Sequence, residues 1–441
     1  MSRSDPRAEL RRFPAASTLL AAIERLRTRY AGTRRLFDLV EDNVSFAALT
    51  RAPARTAREL AAGADERGVG RAQERIVRVG SSDRRIVKLG ALDFILHTAL
   101  GGLLASALEP QLPDTLHSYR RGRSPATAIR ALARFARRHR DSEPDPRRRG
   151  LWVVRADVRR YSDSIPIHDG AVFWHELRVA LGLDENERAW RWIVALLRPE
   201  LDEADGPAQR WRGLLFGAPT TNAAANWYLV ALDRALAQLG GFSARYGDDI
   251  LFAHPDYDVA CAARATIERE VTARGLQINP KKARFLFWNG SGRGPDVGVG
   301  EPATAVEFLG AAVRFRGTVA LAPSKWRELV RDLHRRVVDG ARLLPVGAPL
   351  ERARALGQLL TRALDPRSAL ASAHAHLLRS LVDDRPQLDE LDQLLRLWVA
   401  EAATGRRGVR AYRQLAPATL HEAGVPSTVA ARNRADRTPA P

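Results

Sequence analysis

Ser243-Ala-Arg-Tyr-Gly-Asp-Asp-Ile-Leu-Phe252 is the stretch around which the remaining chain is organised. Short apolar or aromatic runs, Phe242 to Tyr246 and Ile250 to Ala253, flank Gly247 at the first central position of a two-residue turn, which suits a type II′ β-hairpin. The predicted hairpin carries Asp248 and Asp249 at its tip. Neighbouring carboxylates repel and raise each other's pKa unless cations neutralise them, so a retained pair suits divalent metal. A solvated Asp-Asp turn is the other meaning of the same residues. The rest of the chain decides between the two.

At 441 residues there is room for two or three packed subdomains. Lys and Arg number 70 against 51 Asp and Glu, a formal charge of +19 that attracts polyanions and makes nucleic acid the first partner to consider. Because the whole chain is rich in Arg and Ala, that charge is supporting evidence only. A single cysteine, Cys261, excludes an intrachain disulfide and a Cys-rich zinc site. It fits a reducing cytoplasm. The N-terminus lacks a signal-peptide core, and the glycine-bearing apolar stretch Ala99 to Leu108 reads as too short to span a bilayer. The expectation is a soluble, cytoplasmic protein with no membrane partner.

Upstream of the hairpin, Gly217 and Pro219 break the chain before a long helix starting near Thr221, on which Asn226 sits among small alanines. Earlier still, Leu151-Trp-Val-Val-Arg-Ala-Asp157 is an apolar strand ending in a carboxylate, awkward inside a sheet unless it faces a metal or a cation, or serves as a simple helix cap. Arg84 to Leu89 reads as a short basic strand, a solvated edge on its own residues or, with the rest of the chain, a set of cations that suits a triphosphate, and Ala91 to Leu108 as a buried helix. Leu116 to Ile129 is a basic loop with Arg120, Arg121 and Arg123, followed by a helix with Ser124 as N-cap and Pro125 at its first position. Residues 2–70 show helical spacing and no nameable chemistry.

Downstream, a helix is expected over Val259 to Arg274, then a turn bearing Lys281 and Lys282, then a strand over Arg284 to Trp288. Asn289 to Gly300 reads as a Gly-rich loop, and Val306 to Val313 with Thr318 to Leu321 as a second hairpin. From Pro323 the pattern is helical: Ser324 to Arg342, Leu350 to Leu364, Ser368 to Val382 and Leu388 to Ala403. From Pro417 the Ala, Arg and Pro content predicts disorder.

Asp157, Asp248 and Asp249, with a helix-leading Gly/Pro turn, a turn lysine and basic strands, are the parts that two-metal phosphoryl transfer requires. Their order and spacing resemble the reverse transcriptase family from about Arg84 to Gly310. Tyr246-Gly-Asp-Asp249 looks like the family's YxDD box, and Asp157 with Ile165 like its first palm motif. Gly217-Ala-Pro-Thr-Thr221 with Asn226 and Leu232-Asp233 resembles the template-and-nucleotide motif. Gly275 to Asn279 with Lys282 resembles the lysine-bearing motif, Phe308-Leu309-Gly310 the primer-grip hairpin, and Arg84-Arg85-Ile86 with Ser118 to Ser124 the fingers segments of bacterial members.

The resemblance implies an α+β right hand: an N-terminal helical extension at 1–75, fingers at 76–150, a palm with an antiparallel sheet at 151–322 and a helical thumb at 323–416, before the tail at 417–441. It implies an RNA-directed DNA polymerase with two Mg²⁺ ions, or Mn²⁺ in their place, held by Asp157 and Asp248 with Asp249 in support. Lys282 would protonate the leaving pyrophosphate. Arg84, Arg85, Lys88, Tyr161, Ser162, Phe216, Gly217, Pro219 and Asn226 would face the nucleotide; Tyr246, Phe308, Leu309, Gly310, Arg120, Arg121 and Arg123 would face primer and template. The implied partners are an RNA template, a DNA or RNA primer and dNTPs, with a dedicated non-coding RNA or a partner protein as a further candidate.

Two departures bear on function. Ser162 stands where the family has an aromatic that excludes the ribose 2′-hydroxyl, and Leu215-Phe216 stand in place of Pro-Gln. The retron NAxxH and VTG patterns are absent, and the remainder most resembles abortive-infection and unknown-group enzymes, many of which act in phage defence. A ribonucleotide-accepting or template-independent polymerase is the first alternative; a catalytically silent nucleic-acid-binding subunit is the second. The polymerase readings depend on Asp157, Asp248 and Asp249 meeting at one point.

Overall fold

The structure, a computed structural model, describes residues 5–30, 43–79, 82–145, 148–202, 213–214, 217–372 and 374–437. They form two compact units. The first comprises Met1–Ser124, Val154–Phe252 and Asp258–Arg284; the second comprises Pro125–Val153, Ala253–Tyr257 and Phe285–Pro441. Helix and antiparallel sheet are mixed throughout, the α+β class expected.

In the first unit, strands β1 (Ala72–Val79) and β2 (Ser82–Lys88) form an antiparallel hairpin, with Gln73 opposite Lys88 and Val79 opposite Ser82. Strand β3 (Leu151–Asp157) enters it from Val154 onward, and β4 (Leu201–Asp202) adds to β1 in parallel. Strands β5 (Phe242–Tyr246) and β6 (Asp249–His254) form the predicted hairpin, and β3 lies on the far side of β6. Gly247 at the turn has φ +64°, a left-handed value that a Cβ would strain. β3 is buried along almost its whole length, as expected of a near-continuous apolar run inside a sheet.

Helix Ala91–Leu108 is the apolar centre of this unit, with buried residues on every side. The apolar stretch is longer than expected: Ala91–Gln111 is long and apolar enough to cross a membrane, yet 72% of its apolar window is buried inside the protein, as in a core helix. Helix Pro219–Tyr228 packs on it at close range. Gly101 permits that approach, since a Cβ there would lie 2.7 Å from the Pro219 carbonyl oxygen. The His97 ring meets the Thr220 hydroxyl at 2.8 Å across the same contact. The N-terminal helices Ala16–Tyr30 and Pro53–Arg67 pack on one another, burying Leu19, Ile23 and Leu60.

In the second unit, β7 (Arg284–Trp288) pairs in parallel with β8 (Glu301–Ala303). β9 (Ala305–Phe308), β10 (Ala311–Arg314) and β11 (Val319–Leu321) make an antiparallel meander. Helices Pro323–Leu343, Pro349–Leu364 and Arg385–Thr404 bury Leu329, Leu333, Leu356, Leu360, Leu391 and Leu395 in one core. Between them, among the described residues of the expected 368–382 helix, Ala375–Leu381 is helical.

The tail is a correction. Pro417–Glu422 and Thr428–Arg437 are helices, and Leu420, Val425 and Val429 are buried in the helical core. Asp392, itself buried, accepts bonds from the Thr428 backbone N–H (2.6 Å), the Thr428 hydroxyl (2.7 Å) and the Ser427 hydroxyl (2.6 Å). It caps the last helix from a distance in sequence that composition does not reveal.

Candidate active site

The segments that carry the three carboxylates come together where β3 runs out beside the β5–β6 turn. The Val158 N–H, one residue past Asp157, donates to the Asp248 carbonyl at 3.1 Å, so the strand bearing the first carboxylate is stitched to the turn bearing the other two. On its other side the 277–279 segment adds a further edge: the Arg159 N–H donates to Gln277 O at 2.8 Å and the Asn279 N–H to Asp157 O at 2.7 Å.

Asp157 is only 3% exposed. A buried carboxylate needs compensating donors, and it has two: Lys282 Nζ at 2.6 Å from Oδ2 and Asn279 Nδ2 at 3.2 Å from Oδ1. Asn279 thereby joins the site; its place in the Gly275 to Asn279 motif was the available signal.

Asp249 is less well served. Arg155 Nη2 stands 3.7 Å from its Oδ1, an ion pair too long for a hydrogen bond, and both Oδ1 and Arg155 Nε are buried without a hydrogen-bond partner among the described residues. Burial pushes its pKa from the ordinary 3.8 up to about 6; Arg155 opposes that shift, while Asp248 and Asp157 add to it. An acid with a raised folded-state pKa is easiest to accommodate when protonated. Its cost is absent below about pH 4, grows towards pH 6 and is complete above that. Asp249→Asn should therefore stabilise the fold at pH 7.5 in the absence of divalent ions by up to about 3 kcal/mol. Thermal melts at a series of pH values check this: the advantage should close below about pH 4.

As arranged, Lys282 and Arg155 neutralise two carboxylates, and among the described residues no three His, Cys, Asp or Glu side chains converge on one ion-sized point. The donor set nevertheless fits a divalent ion: hard carboxylate oxygens, one of them, Asp249 Oδ1, buried and unbonded.

Behind the turn lies a network that sequence reasoning missed. Arg245 on β5, 1% exposed, makes a two-pronged ion pair with Asp233 (2.8 and 2.6 Å) and donates to Asn226 O (2.7 Å) and Gly247 O (3.2 Å). Burial pushes the Asp233 carboxyl up against the opposing pull of Arg245. Ser118 exchanges bonds with the Asn226 side chain, both at 2.5 Å, and its hydroxyl accepts from the Gly247 N–H at 2.9 Å. The strict alternation of β5, which turns Ser243 and Arg245 away from the Tyr246 face, is the signal that could have exposed Arg245.

Several residues expected at the substrate are interior instead. Tyr161 is buried, its hydroxyl donating to the Ala225 carbonyl, because the turn after Asp157 folds the ring inward. Asn226 spends its amide on Ser118, and Phe308 is fully buried on β9. Arg120 is held by Glu109 (2.7 and 3.0 Å) and the carbonyls of Pro113 and Leu116, so it shapes its loop. Arg123 pairs with Asp114, while Arg121 is exposed.

Ser162, Gly217, Pro219 and Tyr246 are half-buried in the first unit, and Lys88 likewise on β2. Leu309 and Gly310 form the β9–β10 turn in the second unit. Arg84 and Arg85 lie on β2 with side chains outside the described residues, as is all of Phe216.

Comparison with known proteins follows the same residues. Positions 94–313 match the reverse transcriptase (RNA-dependent DNA polymerase) family. Over 116 residues the chain is 31% identical to the Retron Mx65 reverse transcriptase of Myxococcus xanthus, covering 23% of this chain and 27% of that protein, so it spans about a quarter of that relative's length. The matched span contains β3, helix Pro219–Tyr228, the β5–β6 hairpin and Lys282, all of which the structure joins around the carboxylates, and the chain belongs to the reverse transcriptase family.

Proposed function

We propose that the chain is an RNA-directed DNA polymerase that extends a primer by two-metal nucleotidyl transfer. The observation that carries this reading is the Val158 to Asp248 bond, which brings the buried Asp157 beside the Asp248-Asp249 turn. Asp157 and Asp248 would be the main ligands of two Mg²⁺ ions, with Asp249 in support; bound there, the ions would lower the pKa of the primer's 3′-hydroxyl and offset charge on the leaving pyrophosphate.

The chain's own groups supply the rest. Asn279 fixes the Asp157 carboxylate, and Lys282, half-exposed with Nζ at the site, is placed to give its proton to the leaving group. Arg121, Lys88, Arg84 and Arg85 would neutralise phosphates, and Tyr246 would meet the primer. An RNA template, a primer and dNTPs follow as partners, and the likeness to a retron enzyme adds a dedicated non-coding RNA. Phage defence is the role that fits the subgroup resemblance.

Purified protein with Mg²⁺, a primed RNA template and labelled dNTPs or rNTPs tests the reading. DNA product that depends on the template supports it, and absence of any product sinks it.

A second reading, that ribonucleotides are accepted, rests on Ser162. The neighbouring Tyr161 ring is turned into the core, and the Ser162 carbonyl is held by the Leu214 N–H at 2.9 Å, so no aromatic from these two positions guards the sugar. Ser162→Phe should raise the dNTP to rNTP preference about tenfold. Competition assays read this out, and an unchanged ratio would remove Ser162 from sugar selection.

A further inference from the structure

Tyr119 combines a strained backbone with an exposed ring. Its φ is +52°, a left-handed value rarely adopted by a bulky side chain, and it is 53% exposed. Its neighbours impose that conformation. On one side Ser118 is fastened through Asn226 and the Gly247 N–H; on the other the Arg120 guanidinium is fixed by Glu109 and the Pro113 and Leu116 carbonyls. Glycine or asparagine would meet the backbone demand more cheaply. The tyrosine instead keeps about half of its surface exposed, its ring centroid 6.1 Å from that of Tyr246, the residue preceding Gly247-Asp248-Asp249, with the two planes 40° apart.

Strain kept at such a place points to a use for the side chain. We propose that Tyr119 is a nucleobase-stacking residue, forming with Tyr246 an aromatic platform for an unpaired base of the RNA strand at the edge of the catalytic turn. Every base has a π-face, so the platform tolerates any sequence, and the exposed Arg121 supplies a cation for the adjoining phosphate. The proposal rests on the polymerase reading only in its choice of RNA as the ligand.

Full-length wild type, Tyr119→Gly, Tyr119→Phe and Tyr119→Trp are compared by anisotropy with a labelled single-stranded oligoribonucleotide and by thermal melting. Tyr119→Gly should bind about tenfold more weakly while melting at the same or a higher temperature, because glycine relieves the backbone. The Phe and Trp variants should keep affinity within about twofold. Unchanged binding by the glycine variant overturns the proposal, as do equal losses in all three variants, a joint loss of binding and melting temperature, or no binding by wild type. Primer extension by wild type separates the two claims: extension with Tyr119-independent binding defeats this inference alone, whereas Tyr119-dependent binding without extension defeats the polymerase reading alone.

Discussion

Asp248→Ala should show no primer extension above background, a loss of about a thousandfold or more, while binding a primed RNA template within about twofold of wild type. The size follows from what the carboxylate is asked to do: a ligand that helps place several kcal/mol of charge stabilisation at the reacting phosphate costs a factor of ten in rate for each ~1.4 kcal/mol removed. The selectivity follows from position. Asp248 sits at a hairpin tip, and its backbone carbonyl accepts from the Val158 N–H, a bond that alanine keeps. Melting temperature should therefore stay close to wild type. Single-turnover extension, oligonucleotide anisotropy and a thermal melt on the same preparation are the measurements. Synthesis that persists in the variant removes Asp248 from the site.

Local patterning explains why the hairpin and β3 were legible, since strand alternation and a glycine at a positive-φ turn act within a few residues; the long helix expected from near Thr221 instead opens at Pro219 and ends at Tyr228. Side-chain direction at irregular positions was not legible. Tyr161 follows Arg160, whose φ of +46° turns the chain and aims the ring at the Ala225 carbonyl, a partner 64 residues away. Arg120 looks like a phosphate ligand in a basic loop until Glu109 and two carbonyls are seen around it. Asp392 and Thr428 likewise define the last helix from 36 residues apart. In each case a long-range hydrogen bond overrides composition, and no periodicity encodes it.

The Arg245–Asp233 pair shows the energetic consequence of that kind of contact. Both groups are buried, with side chains 1% and 2% exposed, so their desolvation is tolerable only because each satisfies the other. Arg245→Met fills similar volume but leaves Asp233 as an uncompensated buried carboxyl, at a cost of about 3–5 kcal/mol. A fall in melting temperature on the order of 10 °C is expected. Adding Asp233→Leu should restore most of it, since an apolar pair of comparable volume no longer carries the desolvation penalty. Activity should not recover in step. Arg245 also donates to Asn226 O and Gly247 O, and these bonds tie the Gly247-Asp248 turn to helix Pro219–Tyr228. The double variant is therefore expected to melt near wild type yet extend primers about tenfold more slowly at saturating nucleotide, the loss falling on kcat. If stability and kcat return together, the buried pair serves the fold alone and the turn is held by Ser118 without it.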